Sequence, residues 1–175
     1  MARIVYNVPM VRQGISPICW VACAAMILSF KGKMSISIGS INGGSGPSNS
    51  CVSNPVDLYD IIEASCNDRW VTFYSLLIEL GFTSEGPNSP SIGYIERILR
   101  HHSPFILTHY TQTLAPTVSS PNTTHAVVIT GIDTNTRICF FNNPWGTRQQ
   151  TNVNAILADI VRLKQHGIQP VAYIP

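Results

Sequence analysis

Charge is what this sequence has least of. Only 11% of its 175 residues are Asp, Glu, Lys or Arg, and the formal net charge is +2. So small a balance gives no field for holding nucleic acid or an anionic membrane surface. No basic cluster interleaved with aromatics occurs either. Long apolar runs are also missing: the longest, Ile18 to Leu28, is too short to cross a bilayer. The opening stretch Met1-Ala2-Arg3-Ile4-Val5-Tyr6-Asn7 has no apolar signal core. These absences predict a soluble chain with no signal peptide and no membrane span. The five cysteines, Cys19, Cys23, Cys51, Cys66 and Cys139, are odd in number, and no pair has zinc-like spacing. Cys19 and Cys23 are one helical turn apart, but nothing nearby supplies two more ligands, and no His/Glu pair has helical ligand spacing. Neither a metal nor a cofactor is expected. Cys51 and Cys66 would pair only in an oxidising compartment. No internal repeat is present. The remainder, 45% hydrophobic, suffices at this length for a packed core without disulfides or metal, and one domain over residues 1–175 is the default.

The most informative stretch is Gln13-Gly14-Ile15-Ser16-Pro17-Ile18-Cys19-Trp20-Val21-Ala22-Cys23-Ala24-Ala25-Met26. It reads as a polar loop running into an apolar helix. Ser16 suits the cap and Pro17 the first turn, where an N–H has no intrahelical partner. Cys19 then sits near the helix N-terminus, where unpaired N–H groups and the helix dipole favour a thiolate. Gln13 precedes it on a loop that can fold back beside the sulfur, where its amide could donate to an oxyanion. A lone cysteine is more often a small core hydrophobe than a nucleophile, so partners must come from elsewhere. Two segments offer them: Thr124-His125-Ala126-Val127-Val128, with a His opening a strand-like run, and Phe140-Phe141-Asn142-Asn143-Pro144-Trp145-Gly146, where another such run ends.

The order Gln, Cys, His, Asn resembles that of papain-like cysteine proteases. The match rests on Gln13 with five residues before Cys19-Trp20, on His125-Ala126-Val127, and on Asn143-Pro144-Trp145-Gly146, which looks like the Asn-x-Trp-Gly signature of papain and calpain. Compact size and the His-strand, turn, Asn-Pro-Trp layout are closer to double-glycine peptidases of bacteriocin export and to papain-like bacterial effector proteases. The resemblance implies an α+β papain-like fold. In it, a helical half of about residues 1–103 carries the Cys helix and packs on an antiparallel sheet half of about 104–175. It also implies Cys19 as nucleophile, His125 as its thiolate partner and proton donor, and Asn143 as the group orienting the imidazole. Gln13 and the Cys19 N–H would form the oxyanion hole, and Trp145, with Trp20, would be supporting.

The pattern of elements agrees with that layout. Helices are expected from Pro17 to Lys31, from Asn54-Pro55 to about Ala64, from Trp70 to Leu80 with Gly81 as stop, and from about Ser91 to His101. Residues 39–53, rich in Gly and Ser, read as a loop, and Gly43-Gly44 as a plain turn rather than a self-processing site. Strands follow at Pro104–Tyr110, Thr124–Ile132 and Arg137–Asn142, the last two joined by the Asp133-Thr134-Asn135-Thr136 turn. Residues 111–123 read as a Thr/Ser/Pro loop. A helix over about Asn154–Gln165 and an edge strand at Pro170–Ile174 close the chain. His101 and His102 suit a helix C-terminus, and His166 an exposed position. His109 alternates along its strand towards the cleft side, with no motif beside it.

A cysteine endopeptidase working through a thioester acyl-enzyme is therefore the expected function, with a protein or peptide substrate. The resemblance also suggests a secreted bacterial effector or toxin that acts on a protein of the target cell. Such a chain is cytoplasmic in the producing cell or delivered by a signal-independent route, and a small immunity or inhibitor protein would be a further partner. The alternatives are another acyl transfer on the same Cys–His pair (transglutaminase, deamidase or peptidoglycan amidase) and a non-catalytic binding module. Asn143 favours proteolysis over the first, and retention of both Cys19 and His125 counts against the second.

Overall fold

A computed structural model describes residues 3–13, 19–33, 35–38, 48–51, 54–69, 77–110 and 124–175, without the side chains of 35–38, 48–51 and 64–69. The proposed cap at Ser16-Pro17, the Gly43-Gly44 pair, most of the Trp70–Leu80 helix, the 111–123 loop and the Cys51 and Cys66 thiols lie outside what is described. Helix α1 spans Cys19–Phe30 and is apolar on all sides, and every side chain from Val21 to Leu28 is buried. An uninterrupted apolar run of this kind forms a central rather than an amphipathic helix. Helix α2, Pro55–Arg69, is longer than its pattern suggested; Asn54 Oδ1 caps it by accepting from the Val56 and Asp57 N–H groups. Helix α3, Ile92–His102, is capped by Ser91 and has three basic residues in its last turn. Helix α4 runs from Val153 to Gln165.

Strand β1 is Arg3–Val5, β2 Ser35–Ile38, β3 Ser48–Cys51, β4 Thr83–Glu85, β5 Phe105–Tyr110, β6 Thr124–Asp133, β7 Ile138–Asn143, β8 Thr147–Asn152 and β9 Val171–Tyr173. β2 and β3 pair as a separate two-stranded sheet; β3 falls inside residues 39–53, which read as a loop, and β2 just before them. The other strands form one seven-stranded antiparallel sheet in the order β4-β9-β5-β6-β7-β8, with β1 on β6. β1 and β7 both pair with residues 131–133 of β6, so β1 must occupy the β5 side, continuing the line where β5 has ended.

Two expectations change. β9 is not an edge strand: Ala172 pairs with Ile106 of β5 on one side and Ser84 of β4 on the other. All three of its residues are buried, which an interior position explains. The helical half, residues 1–103, also contributes β1 and β4 to the sheet.

Alternation divides the core between the two faces of the sheet. Ile106, Ala126, Val128 and Ala172 pack with α1 and α2, whereas Phe105, Leu107, Val127 and Ile129 pack with α3 and α4. β1 lies so close on β6 that a β-carbon on Gly131 would collide with the Ile4 carbonyl and fall 2.8 Å from Val5 Cα. This contact, with the Tyr6 N–H on the Thr130 carbonyl at 2.8 Å, anchors the segment leading to Gln13.

Candidate active site

Register decides which side chains can meet. His109 of β5 pairs directly with His125 of β6, and Ile129 of β6 with Phe141 of β7. Phe141 in turn pairs with Gln149 of β8. Side chains two apart share a face, so His109, His125, Asn143 and Gln149 fall on the same face of four adjacent strands. Asn142 points to the other face, where its amide nitrogen donates to the Val8 carbonyl at 3.2 Å. The apolar pattern of this strand could not choose between the two asparagines; the pairing does.

His125 Nε2 lies 3.0 Å from Asn143 Oδ1. The same oxygen accepts the Trp145 backbone N–H at 3.1 Å, and the Asn143 amide nitrogen donates to Gln149 Oε1 at 3.3 Å. These contacts fix the amide orientation. Oδ1 can only accept, so Nε2 carries the ring proton and Nδ1 of a neutral His125 is the basic nitrogen. The Trp145 indole stacks on the imidazole, with centroids 4.5 Å apart and planes at 24°. Trp145 is itself 40% exposed, so it covers His125 from the solvent side.

The turn that places these groups is the three-residue hairpin loop 144–146, with Gly146 at φ +94° and its N–H on the Asn143 carbonyl at 2.9 Å. The positive φ favours glycine here, and a β-carbon would in addition fall 2.6 Å from Arg12 Nε, a side-chain atom that would have to move aside. The Gln13 N–H donates to the Pro144 carbonyl at 2.8 Å, tying the segment before Cys19 to the loop after Asn143. The Gln13 side-chain oxygen is buried with no hydrogen-bond partner.

Cys19 is the first residue of α1, and its Sγ accepts the backbone N–H of Ala126, the residue after His125, at 3.2 Å. Burial pushes the thiol above its usual value; the N–H groups of Ala126, Trp20 and Cys19 itself pull it back only in part. Burial likewise lowers His125, partly offset by its bond to Asn143. Burial is thus the first cause of both shifts. Trp20 is half-buried and packs against the α1 core. Cys23 and Cys139 are fully buried. Among the described residues no group of three His, Cys, Asp or Glu side chains could hold a metal ion.

Two participants were not singled out by sequence. Gln149 holds Asn143 from β8, a polar strand whose sequence, Thr-Arg-Gln-Gln-Thr-Asn, has no apolar alternation to reveal it. His109 meets His125 edge to face, with centroids 5.6 Å apart and planes at 86°. The one available signal for His109 was its place in the β5 alternation.

No curated protein matches the chain. A solved structure of a C39-like peptidase from Bacillus anthracis superposes with a TM-score of 0.53 at 13% identity, covering 100% of this chain and 98% of that one. This likeness speaks for the fold. The sequence profile described as papain-like cysteine protease AvrRpt2 matches residues 2–157. Over most of its length, then, the chain carries the signature of one peptidase family, and it belongs to the papain-like cysteine proteases of the AvrRpt2 type.

Proposed function

We propose that this protease cleaves peptide bonds through Cys19, His125 and Asn143. The observation that carries the reading is the meeting of three distant segments: Cys19 Sγ on the Ala126 N–H, and His125 Nε2 on Asn143 Oδ1. His125 Nδ1 takes the thiol proton as Cys19 attacks the scissile carbonyl, and the imidazolium then protonates the leaving amine. The Cys19 N–H and the Gln13 amide donate to the oxyanion. Water then hydrolyses the thioester, with His125 again the base.

The substrate is a protein or peptide. We read the chain further as a bacterial effector or toxin acting on a protein of a target cell, with a small immunity protein as a second partner. That part rests on the resemblance to compact effector proteases, not on site geometry.

The test is cleavage of a proteome-derived peptide library by the protein and by Cys19→Ala, with new N-termini identified by mass spectrometry. New termini that vanish in Cys19→Ala support the endopeptidase. Release of ammonia without new termini would replace it with a deamidase or transglutaminase on the same pair.

A further inference from the structure

We propose that His109 is a positioning residue for the general base, a fixed ring that holds His125 in the orientation the reaction uses. The proposal rests on the Cys19–His125 reading and adds to it a residue from a third strand.

Four observations point to His109. Its backbone is the direct cross-strand partner of His125, so the two side chains rise from the same face. The rings meet at right angles at contact distance. His109 is only 1% exposed, in a place where an apolar ring would be the ordinary choice. Finally, Nδ1 lies 2.6 Å from the Tyr110 carbonyl, so it carries the proton and donates, which stops the ring from turning about its Cβ–Cγ bond. Tyr110 is held in its turn: its N–H donates to Asp159 Oδ2 of α4 at 3.2 Å, and Arg162 stacks over its ring. A rigid chain of contacts thus runs from α4 through β5 to His125.

The opposite nitrogen, His109 Nε2, is buried without a hydrogen-bond partner. A phenylalanine would avoid that unpaired acceptor. What the histidine adds is the tether to Tyr110, which fixes the ring plane that His125 packs against. His125 is therefore confined by the Trp145 stack, the His109 contact and the Asn143 bond together. Rotation of the imidazole would break the Asn143 bond.

Among the described residues, the ionisable groups around His125 are Cys19 beside Ala126 on the α1 side and His109 on β5; from β7 and β8 come the neutral amides of Asn143 and Gln149. α4 presents Asp159 and Arg162 to Tyr110. His109 is held neutral, lowered to about 4 by burial, so it adds no charge beside His125 near neutral pH. Its removal acts instead by admitting water to His125, whose own lowering comes first from burial.

The experiment compares His109→Ala and His109→Phe with the parent protein. Peptide-cleavage kinetics are measured together with 15N NMR of the His125 ring across pH. In His109→Ala, kcat should fall about tenfold from loosened geometry while KM stays within about twofold. The His125 midpoint should rise towards the usual histidine value, and its single Nε2–H tautomer should become a mixture. His109→Phe restores the wall without the tether, so it should recover the low midpoint but only part of kcat and of the single tautomer. An unchanged His125 titration and tautomer in His109→Ala would overturn the proposal, as would full parental kcat in His109→Phe. If the parent protein cleaves no peptide while its His125 spectrum still responds to His109→Ala, the positioning stands and the triad reading fails.

Discussion

The amide of Asn143 donates to the side-chain oxygen of Gln149, a diagonal neighbour on the adjacent strand. The bond leaves Oδ1 free for the His125 ring and the Trp145 N–H. Gln149→Ala should therefore lower kcat by about 3- to 10-fold, the effect of losing one modest hydrogen bond that orients another. Asn143→Ala should cost more, though less than Cys19→Ala, because the Cys–His pair survives with a looser ring. Asn142→Ala should leave kcat nearly intact and lower Tm, since its amide serves the buried Val8 carbonyl. Steady-state kinetics on one peptide, with a thermal melt for each variant, separates the three.

Cys19 should be the first of the described cysteines to react with iodoacetamide, since Cys23 and Cys139 are fully buried. The thiol is raised and His125 lowered, so the alkylation rate should climb as pH passes through 9. A plateau already reached at pH 5–7 would instead reveal a resting thiolate–imidazolium pair.

Gln13→Ala should reduce kcat about 10²-fold and change KM little, because an oxyanion donor acts mainly in the transition state. An effect confined to KM would make Gln13 a substrate-binding residue.

Gly131→Ala should lift β1 off β6, at a cost of about 1–3 kcal/mol for forcing atoms into a filled space. The same segment leads to Gln13, so kcat should fall along with Tm. A variant that melts early with its kcat unchanged would show that Gln13 is held by Pro144 alone.

His109 links pH to stability. Its imidazole titrates near 4 in the folded chain against an ordinary 6.5, so below pH 6.5 the unfolded chain binds the proton first. Stability is then full above pH 6.5 and declines as pH falls towards 4, by up to about 3 kcal/mol. Urea unfolding at pH 7 and pH 5 measures the slope, and His109→Phe should flatten it.

Much of this was legible in the sequence because it is locally encoded. The charge-free run to Phe30 announced α1, and the Asp133 turn announced the β6–β7 hairpin, where Asp133 Oδ1 accepts from the Asn135 and Thr136 N–H groups. Cys19, His125 and Asn143 could be singled out because the stretches around them, Cys19-Trp20, His125-Ala126-Val127 and Asn143-Pro144-Trp145-Gly146, resemble motifs of papain-like cysteine proteases. The missed elements are short or polar strands, such as β4 and β8, whose existence depends on a partner distant in the chain. The interior place of β9 and the pairing of His109 with His125 were hidden for the same reason: register between strands is a non-local property.

The position of β9 also sets a timetable. Among the described strands it is last in sequence, yet it lies between β4 and β5, pairing Val171 with both Glu85 and Leu107. A chain still on the ribosome can have Cys19, His125 and Asn143 translated while β5 lacks one neighbour. Proteolytic power should therefore appear only when residues 171–173 emerge and the sheet closes, so a nascent chain carries the thiol without yet being a protease.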